Sequence, residues 1–373
     1  MTRTEKLLAE LIALPSVNPA FLPARHPYAG EKRVADFLAS VAARAGLEVE
    51  LRKVLPGRAN VLARLQPRNK VRRTLLLAPH LDTVGAEGTR FIPQRQSGRL
   101  HGRGACDTKG SVAAMLGALC ELVKSRPGET EIIFAGLIDE EHAQAGSRAL
   151  AASGFKADLA IVGEPTRLQV VTAHKGSLWL QLETRGVAAH GATPQLGRNA
   201  VLEMARIVDV LETDYAAWLR KRKHRLLGAG TVNVGLIHGG VQPNIVPDRC
   251  AITIDRRTLP GETEAGVRQE ISTRLRARKL AAKISSTKLA PALPLETDSG
   301  LPLVRQFLRS VGQGRPAGVD FFCDAAVLSH GGIPSVVFGP GDIAQAHTAD
   351  EWISLAALER GKDLLLKFMK SLP

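Results

Sequence analysis

Aromatic residues are scarce in this chain: Trp, Tyr and Phe make up 4% of its 373 residues. Stacking platforms for single-stranded nucleic acid therefore have little to be built from. Acidic residues are the minority charge, 36 Asp+Glu against 50 Lys+Arg, leaving a formal net charge of +14. Such an excess raises the question of phosphate binding. The basic residues are nevertheless dispersed, and the one dense run, Arg220-Lys221-Arg222-Lys223-His224-Arg225, follows the amphipathic stretch 201–219. It reads as the solvated end of a helix, where cations also complement the dipole. No nucleic-acid partner is expected, and the positive field suits acidic or carboxylate-bearing substrates. Cysteine is short too: Cys106, Cys120, Cys250 and Cys323 form no close-spaced pair. That argues against a zinc ribbon or a disulfide framework and for a reduced, cytoplasmic setting. No apolar run reaches the length of a membrane span, and the first residues read as an amphipathic helix rather than a signal-peptide core, so no membrane partner is expected.

What is present is an alternation of helix and strand patterns. Helices are expected over residues 4–14, 31–45, 111–123 and 146–152, and strands over 75–78, 131–138 and 159–162. This order predicts an α/β fold, a mostly parallel central sheet flanked by helices. The pattern changes between residues 175 and 288. Strand alternation at 177–184 and 251–254, helices at 199–219 and 264–278, and a glycine-rich turn at 235–240 suit a smaller inserted α+β domain of the split βαβ, ferredoxin-like kind. Residues 301–310, 335–338 and 355–370 return to helix and strand. The expected organisation is a discontinuous domain of residues 1–174 and 289–373, with residues 175–288 inserted in it.

Seven residues able to bind or serve a metal lie mostly just after apolar runs: His80 and Asp82 in Pro79-His80-Leu81-Asp82, Asp107 in Gly104-Ala105-Cys106-Asp107, Glu140-Glu141, Glu164 in Gly163-Glu164-Pro165, and His347. In open α/β sheets ligands collect at the carboxyl ends of strands, so residues far apart in sequence can meet there. Imidazole and carboxylate without thiolate suit catalytic zinc or a similar divalent ion, and the count suits two. The spacing of His80 and Asp82 places both side chains on one side of an extended segment, where Asp82 can hold the imidazole. Asp107 can bridge two cations or simply cap the helix that follows. Adjacent Glu140 and Glu141 point to opposite sides of an extended segment, so one can ligate while the other acts as general base; a solvated turn is the plainer alternative. Asp350 or Glu351 can orient His347.

Taken in order, His80-x-Asp82, Asp107-x-Lys109-Gly110, Asp139-Glu140-Glu141, Gly163-Glu164-Pro165-Thr166, Ala173-His174-Lys175-Gly176, His190, His238-Gly239-Gly240, Arg257-x-Leu259-Pro260-Gly261 and Gly339-Pro340-Gly341 to His347 resemble the dinuclear-zinc family of acetylornithine deacetylase, succinyl-diaminopimelate desuccinylase, aminoacylase and carboxypeptidase G. The resemblance spans nearly the whole chain. It implies a catalytic domain interrupted by a lid domain that mediates homodimerisation, and two divalent ions, zinc with cobalt or manganese as alternatives. Asp107 would bridge them, His80 and Glu164 would complete one site, and Glu141 with His347 the other. Glu140 would be the general base, Asp82 the residue orienting His80, and His190 the oxyanion contact, from its own or the partner subunit. Asn244 and Arg257 would meet the substrate carboxylate. Pro79 departs from the family's usual glycine, and Asp324 matches a position that varies among members, so its role is open. The implied activity is hydrolysis of the amide bond of an N-acyl-L-amino acid, with segments near 172–175 and 288–291 as hinges. The loops look most like those acting on N-acetyl-L-ornithine in arginine biosynthesis; desuccinylase, broader aminoacylase and carboxypeptidase activities are the alternatives, and a non-catalytic binding protein on the same scaffold is the remote one.

Overall fold

Short apolar runs bounded by turn residues become buried strands in the computed structural model, which describes residues 1–288 and 290–373. Two compact units emerge, one of Met1–Thr172, Thr297–Ala317 and Cys323–Pro373, the other of Ala173–Glu296 and Gly318–Phe322. The sequence places the joins at 174/175 and 288/289. The structure places them at Thr172 and Glu296, and residue 289 itself lies outside the described residues. The shift has a backbone cause, because Leu295 and Glu296 pair with His174 and Ala173 and so close the second unit as one ladder.

The first unit holds a mixed sheet in the order Glu48–Leu55, Arg58–Leu65, Thr130–Gly136, Arg73–Pro79, Leu159–Gly163 and Ser335–Val337, with Val171, at the start of the strand that continues into the second unit, paired to Val337. Its middle is parallel: Arg73–Pro79 runs alongside both Thr130–Gly136 and Leu159–Gly163, and Ser335–Val337 alongside Leu159–Gly163. These strands are almost wholly buried and read as unbroken apolar runs, as parallel strands covered on both faces must. The margins are antiparallel. Arg58–Leu65 turns back against Glu48–Leu55 through Pro56-Gly57, where Gly57 has φ +70. Helix Lys109–Leu122 is buried nearly all round, which is why its sequence lacks a polar stripe, and it packs on helices Arg3–Ile12 and Leu355–Lys370. Among the described residues no helix is long and apolar enough to cross a membrane.

The second unit carries a four-stranded sheet in the order Thr231–Gly239, Arg249–Thr258, Gly176–Arg185 and Lys283–Ser286, all pairs antiparallel. In chain order it runs strand, helix, two strands, helix, strand. One side chain in two along Gly176–Arg185 and Arg249–Thr258 (Leu178, Leu180, Leu182, Ile252, Ile254) packs on the helical residues Met204, Ile207 and Ile271. One local expectation changes. The glycine-rich segment 235–240 is not a turn: the Thr231–Gly239 strand runs through it with a register shift between Val234 and Leu236, and the reversal follows at Gly240, with φ +77. The stretch 199–219 is helical as expected, running without a break from Ala200 to Lys221 with a π-helical turn at Leu211–Tyr215 inside it.

Candidate metal centre

The first unit brings all seven sequence-predicted residues of the centre to the carboxyl end of its parallel strands. His80 directly follows Arg73–Pro79, Glu164 directly follows Leu159–Gly163, and Glu140 and Glu141 follow Thr130–Gly136 after one further parallel bridge, His80 to Leu137. Asp107 sits in the turn before helix Lys109–Leu122, and its peptide to Thr108 is cis. His347 arrives from the loop after Ser335–Val337.

Asp107 lies between the two imidazoles. Its Oδ1 is 3.1 Å from His80 Nε2, and its Oδ2 is 3.3 Å from His347 Nε2. Each imidazole faces a glutamate of its own: Glu164 Oε1 lies 3.9 Å from His80 Nε2, and Glu141 Oε2 lies 3.1 Å from His347 Nε2. One ligand atom each from His80, Asp107 and Glu141 also falls within 4.8 Å of the others. The five residues therefore form two halves that share one carboxylate. Glu140 stands beside them, half-buried.

The electrostatics fit cations. Burial pushes the Glu140 and Glu164 carboxyls well above the usual range, with Asp324 and Glu141 adding to it in both, Glu164 in the case of Glu140 and Asp107 in the case of Glu164, and burial also raises Glu141. Asp107 is held below its ordinary value despite burial, by hydrogen bonds from His347 and His80. Those contacts raise His347 to about 10 and, against burial, raise His80. Asp107, Glu140, Glu141 and Glu164 thus stand around two imidazoles, and Glu164 Oε1 is buried with no hydrogen-bond partner among the described residues. Negative charge in excess, an orphaned acceptor and an N/O donor set without sulfur are what hard or borderline divalent cations satisfy.

Asp82 does more than the sequence suggests. His80 Nδ1 is 3.0 Å from the Asp82 carbonyl and 3.5 Å from its Oδ1, so main chain and side chain share the imidazole. The same carboxylate accepts the backbone N–H of Glu140 (3.0 Å) on Oδ1 and that of Glu141 (3.1 Å) on Oδ2. Asn18 Nδ2 donates to Asp82 Oδ2 at 2.7 Å and to Asp139 Oδ1 at 3.0 Å. Arg58 donates to both Asp139 and Glu31, and Glu31 accepts from the Asp139 N–H. Asn18, Glu31 and Arg58 carry no periodic or motif signal. They were missed because only the folded chain puts them behind the centre. Asp324, left open from sequence, accepts a hydrogen bond from Ser147 Oγ on one oxygen while its Oδ2 is buried without a partner among the described residues, and burial raises it to about 6.

Asp350 and Glu351 do not orient the His347 ring. Asp350 lies near Arg90 and His101, while Glu351 grips the Asp107 turn. His190, Asn244 and Arg257 belong to the second unit. There His190 bridges Ile245, Gly191 N–H donates to the Asn244 carbonyl at 2.7 Å, and the two loops border a cavity of about 580 Å³. His190 Nδ1 accepts from Ala192 N–H, which leaves the ring proton of the neutral form on Nε2. Arg257 Nε donates to Asp255 Oδ2 at 3.0 Å, and its guanidinium lies over Phe322.

Comparison with known proteins gives the chain's family and fold. A model described as "Peptidase family M20/M25/M40" matches residues 76–371. Acetylornithine deacetylase of Myxococcus xanthus is 32% identical over 342 residues, 87% of each chain, and that of Edwardsiella ictaluri 31% identical over 377 residues, 97% of this chain and 96% of its own. An M20 family metallo-carboxypeptidase from Sulfolobus solfataricus superposes with a TM-score of 0.78 at 20% identity, covering 99% of both chains. A Bacillus subtilis protein described as a dinuclear metal binding peptidase of the M20 family gives 0.70 at 14% identity, covering 99% of this chain and 97% of its own.

Proposed function

The chain belongs to peptidase family M20/M25/M40 and is a metal-dependent amidohydrolase, and from that premise we propose that it releases acetate from N-acetyl-L-ornithine. The observation that carries the hydrolytic part is the placement of Asp107, one carboxylate oxygen toward each of two imidazoles and a separate glutamate on either side. His80, Asp107 and Glu164 would hold one cation, and Asp107, Glu141 and His347 a second. Two divalent cations bound there, zinc with cobalt or manganese as alternatives, would supply Lewis-acid polarisation of the acyl carbonyl and a water that loses its proton near neutral pH.

The chain's own residues do the rest. Glu140, raised by burial, accepts the proton of the attacking water and later delivers it to the departing amine nitrogen. Asp82 holds it in place through its backbone N–H. His190, with its ring proton on Nε2, donates to the oxyanion of the tetrahedral intermediate. Arg257 keeps both terminal nitrogens for the substrate carboxylate while Asp255 fixes Nε. Asn244 supplies a second polar contact.

The acetyl-ornithine assignment rests on the names of the relatives and is tested by a substrate panel on zinc-loaded protein. Higher kcat/KM for N-acetyl-L-ornithine than for N-acetylcitrulline, N-succinyl-diaminopimelate and acyl-glutamates is the expected result. Preference for a succinyl or glutamyl substrate would move the chain to a neighbouring branch. Homodimerisation is proposed through the second unit, whose Thr231–Gly239 edge strand exposes Leu236 at 56% and Ile237 at 55%; unpaired apolar edges of this kind favour pairing with another strand. Sedimentation of the protein and of Leu236→Lys would show a dimer that the variant weakens.

A further inference from the structure

One buried ion pair joins the loops that carry two of the ligands, and the chemistry above makes no use of it. Glu351, 2% exposed, turns its carboxylate onto the turn that holds Asp107. Oε1 accepts the backbone N–H groups of Cys106 (2.8 Å) and Asp107 (2.9 Å), and Oε2 accepts from Gly104 N–H (2.9 Å) and Arg103 Nη1 (2.7 Å). The Glu351 carbonyl accepts from Gly102 N–H as well, at 3.0 Å. Arg103, 5% exposed, uses its other terminal nitrogen, Nη2, on the carbonyl of Thr348 at 3.0 Å, the residue directly after His347. A short antiparallel pairing, Trp352 with His101 and Ile353 with Leu100, brings Glu351 to this turn from more than two hundred residues away.

The two ligands tied this way differ in how firmly the rest of the fold holds them. Asp107 is buried at the mouth of helix Lys109–Leu122. His347 has a side chain 54% exposed and a left-handed backbone, φ +60, on a loop. Its Nε2 must stay opposite Asp107 Oδ2 and Glu141. A planar guanidinium that binds a carboxylate with one nitrogen and a carbonyl with the other sets a distance between the groups it joins.

We propose that the Arg103–Glu351 pair is a positioning device that fixes the separation of Asp107 from His347 and thereby sets the affinity of the half-site formed by Asp107, Glu141 and His347. This rests on the two-cation reading of the centre. Groups that orient metal ligands without touching the metal typically govern affinity or activity by about 10–100-fold. A lysine at 103 keeps the charge but has a single donating atom, which cannot span both partners. A glutamine at 351 presents an amide NH2 to donors that need an acceptor.

The test is zinc titration of the full chain against a chromophoric chelator for wild type, Arg103→Lys and Glu351→Gln, alongside circular dichroism, thermal melts, kcat and KM. The expected result is two zinc ions in wild type and, in Arg103→Lys, one site of unchanged affinity with the other weakened by at least about 10-fold. kcat should fall in parallel with KM changing little, and excess zinc should recover part of the rate. Should Glu351→Gln not fold, Arg103→Lys decides alone. If both affinities and kcat stay within about threefold of wild type while only the melting temperature drops, the pair is purely structural and the inference is overturned. A wild type that binds fewer than two zinc ions would overturn the two-cation reading itself, and this inference with it.

Discussion

Replacing Asp324 with asparagine should raise the stability of the metal-free protein at neutral and alkaline pH relative to its effect near pH 4. Asp324 is 1% exposed, has one oxygen without a partner, and is raised by burial from 3.8 to about 6. A carboxyl whose folded value is raised gives stability that is fully present below the unfolded value and is lost as pH climbs through the folded one. The window is therefore from about pH 4 to just above pH 6. Across it the distance between 3.8 and about 6 amounts to about 3 kcal/mol, of which about 0.5 is already lost at pH 4. Asparagine carries no charge at any of these pH values, and Ser147 Oγ can still donate to its carbonyl oxygen. Costs of the swap that do not depend on pH cancel when two pH values are compared, leaving a relative gain of about 2.5 kcal/mol at pH 8 over pH 4. Urea unfolding of both proteins in EDTA at the two pH values measures it. A difference that is flat with pH, or larger at pH 4, would refute the claim that Asp324 is a buried charge under strain, and with it part of the case for excess negative charge in this pocket.

Three more substitutions probe the centre and its surroundings. Glu140→Ala should bind zinc as wild type does yet lose about 10²–10⁴-fold in kcat, the usual worth of a positioned proton-transfer group; turnover near wild type would remove Glu140 from the reaction. Arg257→Ala should raise KM with kcat much less affected, because it removes a contact to a part of the substrate that does not react; steady-state kinetics showing an unchanged KM would end the carboxylate role. Asn18→Ala leaves Asp82 Oδ2 and Asp139 Oδ1 without their shared donor, so chemical denaturation should show a loss of about 1–3 kcal/mol with a fall in kcat, and an unaltered midpoint would show that the bridge is idle.

The centre was legible because most of its residues hang from strand ends. His80, Glu140, Glu141 and Glu164 each follow an unbroken apolar run, and the period and length of such runs survive translation from sequence to structure. What supports them was not legible. Asn18 comes from the segment after the first helix, Arg58 from the margin of the sheet and Glu351 from near the end of the chain, and each is brought in by pairing or packing that no local pattern encodes. The misread segment 235–240 has the same origin. Its glycines look like a turn, but one lies at a register shift within an exposed edge strand, where little side-chain burial exists to leave an alternating trace. The hairpin at Pro56-Gly57 was not among the expected elements, although Pro-Gly is a turn signature.

The order in which the first unit's pieces occur along the chain sets a timetable for its birth. Ser335–Val337 lies inside the sheet, parallel to Leu159–Gly163 and antiparallel to Val171–His174, and it leaves the ribosome after the whole second unit. At about 5–20 residues per second, some 10–40 seconds separate the emergence of Glu164 from that of His347. Until Ser335–Val337 emerges the nascent sheet has a gap in place of an internal strand, leaving unpaired N–H and C=O groups beside apolar side chains open to other chains. The half of the proposed centre that His347 would complete likewise waits for a segment translated after the whole second unit, so cation binding there would follow that unit's synthesis rather than the folding of the segment that carries Glu164.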